Sequence, residues 1–376
     1  MKFKNAYSPA RPSTSLLAVV VLGGLLGGCA TGGPQRGSDQ QLIRYRHASD
    51  AMRQARFVEA KSLLDEALVR IEANTAGDRS AKQARSLFHE ESRKKFRGEP
   101  HERVMAYYYR GILYWMDGEP DNARACFRRA QIEDADAENK DFKADYALMD
   151  YLDGLVTSKL AGDGSDAFRR SSEVAKIEKP PAYDPNANVL IFVEMGSGPT
   201  KYAEGDYKEK LKYQPGQTNN VAAVLRAGPL TLRAPAYDDL TFQATTRGGR
   251  VVDYINGNKA FFKEVTDKAG DGLFVIGAVA ATQRGNKSAI DEAGVGMLIA
   301  GLLSKGVSYM TTPAADTRAW DNLPNYLGFG AARLAPGDYS GTVEFINPNG
   351  AVTKTRQVSF TVALGRDTVI FASDRE

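Results

Sequence analysis

Three places in the sequence carry residue types whose spacing suggests chemistry. The first is Leu26-Gly27-Gly28-Cys29, which closes the eleven-residue apolar run Leu16–Leu26, broken only by Gly23 and Gly24. A branched apolar residue, two small residues and a cysteine resemble a lipobox: the thiol forms the diacylglycerol thioether, and small neighbours let the peptidase approach. An ordinary signal peptide with a chance cysteine is the alternative. The second place is Glu194-Met195-Gly196-Ser197-Gly198-Pro199-Thr200-Lys201, directly after an apolar run. A glycine loop with a lysine can cradle an anion on its backbone N–H groups. The P-loop pattern fails here, because GK[ST] is absent and Pro199 removes a donor, so a structural turn stands beside the anion reading. The third is Asp316–Pro324, where Arg318 and Trp320 would share one face of a strand and stack. That segment reads either as a clamp between packed parts of the chain or as a partner contact.

The remaining chemistry-bearing residues form no constellation. Histidines are limited to His47, His89 and His101, and CxxC, HExxH and GxSxG are all missing. The sequence therefore predicts no metal, no cofactor and no enzymatic activity.

Positioning these places are elements that the composition already constrains. The chain has 376 residues, Lys+Arg 49 against Asp+Glu 46, and 43% apolar residues, enough for two domains with ample core. Lys2, Lys4 and Arg11 precede Cys29 without an acid, so they account for the whole net charge of +3. The remainder is balanced, which gives no reason to expect a nucleic-acid partner. Residues 1–28 read as a lipoprotein signal peptide, too short in its apolar run for a permanent span. Residues 29–40 read as a flexible tether. An acylated Cys29 leaves Cys126 without an intramolecular disulfide partner. Ala30, rather than the aspartate that would suggest inner-membrane retention, follows Cys29, and the resemblance to lipoproteins then implies the periplasmic face of the outer membrane. Leu273–Ala281 and Gly294–Leu303 are apolar but shorter than a span.

Residues 41–178 carry a repeat. With Val104 as the first position of a tetratricopeptide repeat, Tyr107, Gly111, Tyr114, Ala123, Phe127 and Ala130 fall on the pattern's characteristic positions. Gly111 and Ala123 are small where two helices cross, and Asp117-Gly118-Glu119-Pro120 separates those helices. Gln41–Glu72 repeats the pattern through Ala48, Ala60, Leu64 and Ala67, and Asp150–Ile177 more weakly through Leu155 and Ala167. Ser80–Lys95 reads as an inserted amphipathic helix, and Arg93-Lys94-Lys95 and Asp134–Asp141 as solvated faces. Three hairpins suffice for a short α-solenoid. Its concave face would be lined by Leu42, Tyr45, Ser49 and Met52 from the first hairpin and Met105, Tyr108, Ile112 and Trp115 from the second. So apolar a lining is either a groove for a protein or peptide partner or a surface filled by the chain's own remainder.

After the proline-rich linker at residues 179–188 the pattern changes. Val189–Val193 predicts a buried strand, and Leu230–Leu232 and Leu240–Thr246 two more around a Pro/Asp turn. Gly249–Val265, Gly272–Thr282 and Asp291–Leu303 read as helical or mixed. Alternation at Tyr339–Phe345 and Val358–Val362, the turns at Asn347–Gly350 and Gly365–Asp367, and a final strand Thr368–Ala372 predict an antiparallel meander. The expected class is α+β: a solenoid followed by a mixed domain over 189–376 that ends in a small Ig- or transthyretin-like sandwich.

Phe96-Arg97-Gly98-Glu99-Pro100-His101-Glu102-Arg103-Val104 runs into the tyrosine-rich helix and Ala125–Ala130. Together with Val189–Lys201, Asp316–Pro324, Leu334–Tyr339 and the leader, it resembles a family of bacterial tetratricopeptide lipoproteins with no established activity. The resemblance covers most of the chain in order, with Val251–Arg284 departing most. It implies an envelope lipoprotein. The functional expectation is a non-catalytic scaffold for cell-envelope assembly, anchored through Cys29 and holding a protein partner in the groove. Two rivals are a ligand-binding or enzymatic C-terminal domain with Glu194 and Lys201 at its mouth, and a structural homo-oligomer.

Overall fold

Helix and strand boundaries follow local signals in the sequence. The computed structural model describes residues 35–75, 96, 98–135, 140–246 and 314–376. Seven helices are described: α1 (Gln35–Arg53), α2 (Phe57–Thr75), α3 (Pro100–Met116), α4 (Pro120–Asp134), α5 (Ala147–Lys159), α6 (Ser165–Val174) and α7 (Leu240–Thr245). Pro100 and Pro120 open α3 and α4, where a missing N–H costs nothing. The Glu102 carboxylate also accepts the Glu99 N–H at 2.6 Å. Gly118, at φ +84°, turns the chain between them. Helix α1 already begins at Gln35, inside the segment expected to be a tether.

The helices form three antiparallel hairpins, α1–α2, α3–α4 and α5–α6, each packed on the next. The crossing at Gly111 is as the repeat pattern predicts: a Cβ there would lie 2.6 Å from the Phe127 ring. In the third hairpin the close approach is Gly154 against Phe168, each one residue from the Leu155 and Ala167 of the sequence reading.

Nine strands are found among the described residues: β1 (Val189–Met195), β2 (Thr200–Glu204), β3 (Lys210–Gln214), β4 (Ala222–Ala227), β5 (Leu230–Asp239), β6 (Tyr326–Ala332), β7 (Gly337–Ile346), β8 (Val352–Val362) and β9 (Thr368–Ser373). β2 and β3 pair as a separate hairpin, and the rest form one sheet in the order β8-β7-β4-β5-β6-β1-β9. Every neighbour is antiparallel except β1 with β9. The two outer strands approach each other, and side chains bridge the seam: Thr368 Oγ1 donates to Thr361 O at 2.9 Å, and Arg356 to Ser373 O at 3.2 Å and Arg375 O at 2.6 Å. The sheet is a nearly closed barrel.

This corrects the expected fold class in two respects. The terminal strands do not form a small sandwich. β7 pairs with β4, and β9 leaves β8 to lie parallel on β1, register Ile191↔Ile370. Alternation shows that a strand is half buried, but not which strand lies beside it. Nor is there a solenoid with an open concave face. The helices lie as a layer against the barrel, and β1 is buried on both sides for that reason. Ile191, Val193 and Met195 join Leu225, Val343 and Phe345 in the core cluster within the sheet. Leu190 and Phe192 join the helical core.

The Leu240–Thr246 strand of the sequence reading is helix α7 instead, because Asp239 caps it by accepting from Thr241 N at 2.8 Å and Phe242 N at 3.4 Å. Leu230–Leu232 belongs to a ten-residue strand that continues through Pro235 to Asp239. The linker at 179–188 is tied down as well: Lys159 Nζ donates to Pro185 O and Ala187 O. The leader, Cys29, Ser80–Lys95 and the readings over 249–303 lie outside the described residues. No described helix is long and apolar enough to cross a membrane.

Candidate functional site

Glu194 sits on the helix-facing side of β1 and is 1% exposed, as is the Arg53 side chain that ends α1. Their ion pair is 3.0 Å long, and the Tyr109 hydroxyl donates to the other carboxylate oxygen. Arg53 also donates to Asn322 O at 2.6 Å. Burial works against the Arg53 charge, but Glu194 and Tyr109 outweigh it and hold its pKa above the usual arginine value. Burial and Glu194 together push the Tyr109 phenol well up, so it stays a neutral donor.

The glycine loop spends the N–H groups of residues 196–198 inside the fold. Gly196 N donates to Asp374 at 2.9 Å, Ser197 N to Gln217 O at 2.8 Å and Gly198 N to Leu323 O at 2.8 Å. Gly196 needs its φ of +71°, and a Cβ on Gly198 would press to 2.6 Å from Pro324 O. The loop is a packed turn under the 323–325 segment, and the anion-cradle reading loses its donors.

Lys201, on β2, turns the other way. It pairs with Glu102 at 3.2 Å and Glu99 at 3.6 Å, and donates to Arg318 O at 2.9 Å. Although burial opposes its charge, these two carboxylates raise its pKa overall. Arg318 pairs with Asp316 at 2.6 Å and lies 5.7 Å over the Phe96 ring, so it does not stack on Trp320 as expected. Trp320 instead stacks on Tyr45, centroids 4.4 Å apart and planes 8° from parallel. Its backbone N–H donates to Glu102 Oε1 at 2.6 Å and its indole N–H to Ser49 Oγ at 3.1 Å. Asn322 completes the strap, donating to Arg46 O at 3.0 Å and Asp50 at 2.8 Å.

Glu194, Gly196, Gly198, Lys201, Arg318 and Trp320 are thus brought into one region, but as a clasp between helices and barrel. Within it the Glu194 and Lys201 side chains are 1% and 3% exposed, each held by its partners. The groove residues share its fate. Leu42, Tyr45, Met52, Met105, Tyr108, Ile112 and Trp115 are all buried. Phe192 of β1 meets Tyr108 and Trp115 edge-on, and Trp115 donates to Asp367 at 2.9 Å. A partner cannot enter a groove that the chain's own sheet fills.

Two features escaped the sequence reading. Asp238, at the end of β5, accepts from Ala147 N at 2.8 Å and Leu148 N at 3.0 Å, capping α5 from another element. The other is an open cleft of about 600 Å³ where β1 begins, β6 ends and the β8–β9 turn passes. Its lining includes Lys159, Asn188, Arg333, Leu364, Arg366 and Asp367. Gly365-Arg366-Asp367 was legible as a turn, but nothing in the sequence pointed to Arg333 beside it. Among the described residues no group of His, Cys, Asp or Glu is arranged to hold a metal ion. Comparison with protein-family models, curated proteins and solved structures finds no match to this chain.

Proposed function

We propose that the protein is a lipid-anchored envelope scaffold, held at the periplasmic face of the outer membrane through Cys29, that works by binding a protein partner. The anchor rests on the Leu26–Cys29 motif and its basic, apolar leader. The observation that carries the binding reading is where the apolar surface of the helical layer goes. Its concave side is spent on the barrel, whereas its outer side keeps Val58 84%, Val69 66% and Ile132 59% exposed on α2 and α4. Val58 and Val69 are three helical turns apart on one face of α2. A partner that covers them adds apolar burial without opening the fold. The pairing of Glu194 with Arg53 and of Lys201 with Glu102 within the clasp weighs against the rival reading of an enzymatic mouth there.

Photo-crosslinking in cells tests this. A crosslinker at Ile132 should capture one partner, and the adduct should be lost with Val58→Asp plus Val69→Asp. A crosslinker at Trp115 should capture none. Capture from Trp115 alone would reverse the assignment of the face, and a Cys29→Ser protein that stays in the membrane fraction would remove the anchor.

A further inference from the structure

The cleft at the β1–β6 end of the barrel has a charge balance that its own residues do not settle. Its lining carries three cations, Lys159, Arg333 and Arg366, against one acid, Asp367. That acid is already committed, to Lys159 at 2.9 Å and to the Trp115 indole N–H at 2.9 Å. Lys159 is committed in turn, to Asp367 and to the Pro185 and Ala187 carbonyls. The two arginines remain. Arg366 donates through Nη2 to Met116 O at 2.6 Å, with its guanidinium beside Gly118, and makes no ion pair among the described residues. Arg333 is exposed and makes no ion pair among the described residues. Two guanidiniums thus line this concave surface, and the one carboxylate that lines it with them is taken by Lys159 and Trp115. Planar forks of this kind match phosphate oxygens two at a time.

The rim differs in chemistry from the floor. Leu364, 88% exposed, is held outward by the β8–β9 turn, with Pro336, Ala335 and Ala363 beside it. An apolar side chain at the mouth of a cationic cleft fits a ligand whose charged head is followed by an apolar chain. The volume is in the range of small-molecule sites.

We propose that this cleft binds a phosphate group through Arg333 and Arg366, with Leu364 and its neighbours receiving an apolar chain attached to it. The same head chemistry is presented by a phospholipid and by free phosphate, and the two sources are separable. Isothermal titration of the full-length protein with dihexanoyl phosphatidic acid, below its micelle concentration, and with inorganic phosphate reads both. The lipid phosphate should bind at least tenfold more tightly than inorganic phosphate. Arg333→Gln and Arg366→Gln should each weaken both probes about tenfold, and Leu364→Ser should weaken only the lipid. Arg333 is exposed and makes no side-chain hydrogen bond or ion pair among the described residues, so its variant keeps the fold even if Arg366→Gln disturbs the link to Met116. Equal affinities, insensitive to Leu364→Ser but lowered by Arg333→Gln, would support the phosphate site and assign it to free phosphate. Absence of binding at millimolar probe, or binding unchanged in Arg333→Gln, would overturn it.

Discussion

The Arg53–Glu194 pair is an expensive way to join two surfaces. Both charges leave water, and their attraction with the Tyr109 and Asn322 hydrogen bonds must offset that loss. Removing one partner exposes the imbalance. Glu194→Gln leaves the guanidinium of Arg53 buried opposite a neutral amide and should lower stability by about 3–5 kcal/mol, read as a fall in the urea midpoint. The double variant Arg53→Met with Glu194→Leu should recover most of that loss, since it replaces the pair by apolar volume. A double variant as unstable as the single would mean that the charges themselves, rather than their mutual satisfaction, hold the interface. The chemistry at these positions was legible as a glycine loop next to a carboxylate and a lysine. Their partners were not, because Arg53, Glu102 and Asn322 lie far from the loop in sequence and their charge carries no mark of what they face.

At the scale of elements, Asp238 joins β5 to the start of α5. Burial, opposed by the Leu148 and Ala147 N–H groups and helped by Asp145 and Asp150, raises its pKa to about 7. The folded value lies above the ordinary 3.8, so the folded state holds a proton that the unfolded chain releases. This contribution to stability is complete below about pH 4 and is lost as pH rises through about 7. The native protein should therefore have a lower urea midpoint at pH 8 than at pH 5.5 through this group. Asp238→Asn should remove on the order of 2 kcal/mol of that difference while weakening the α5 cap at both values. An unchanged pH slope in Asp238→Asn would place the titration elsewhere. The elements themselves were partly readable. Small residues at helix crossings and the proline and glycine breaks between helices are local and came through, as did β1 and the β7–β8 hairpin. The Leu240–Thr246 strand was lost to a cap at Asp239, a local hydrogen bond that overrode a weak strand pattern. The sandwich was lost to β9, whose alternation is the same whether it pairs with β8 or with β1.

At the scale of the molecule, the small residues at the helix crossings were legible in the repeat pattern, but no open solenoid follows from them. Of the two readings of the apolar face, the one filled by the chain's own remainder is the one found. A run of Met and aromatic residues on one face says that the face is covered, and the barrel is what covers it here. Helices and barrel accordingly belong to one compact unit rather than to two halves joined at the 179–188 linker. Both tryptophans of the chain, Trp115 and Trp320, are buried where the two layers meet. Urea unfolding followed by tryptophan fluorescence and by far-ultraviolet circular dichroism reads that interface and the backbone separately. The account predicts one transition with coincident midpoints. A fluorescence change that precedes the loss of secondary structure, or two resolved transitions, would contradict it and return the apolar helical face to solvent as a free groove.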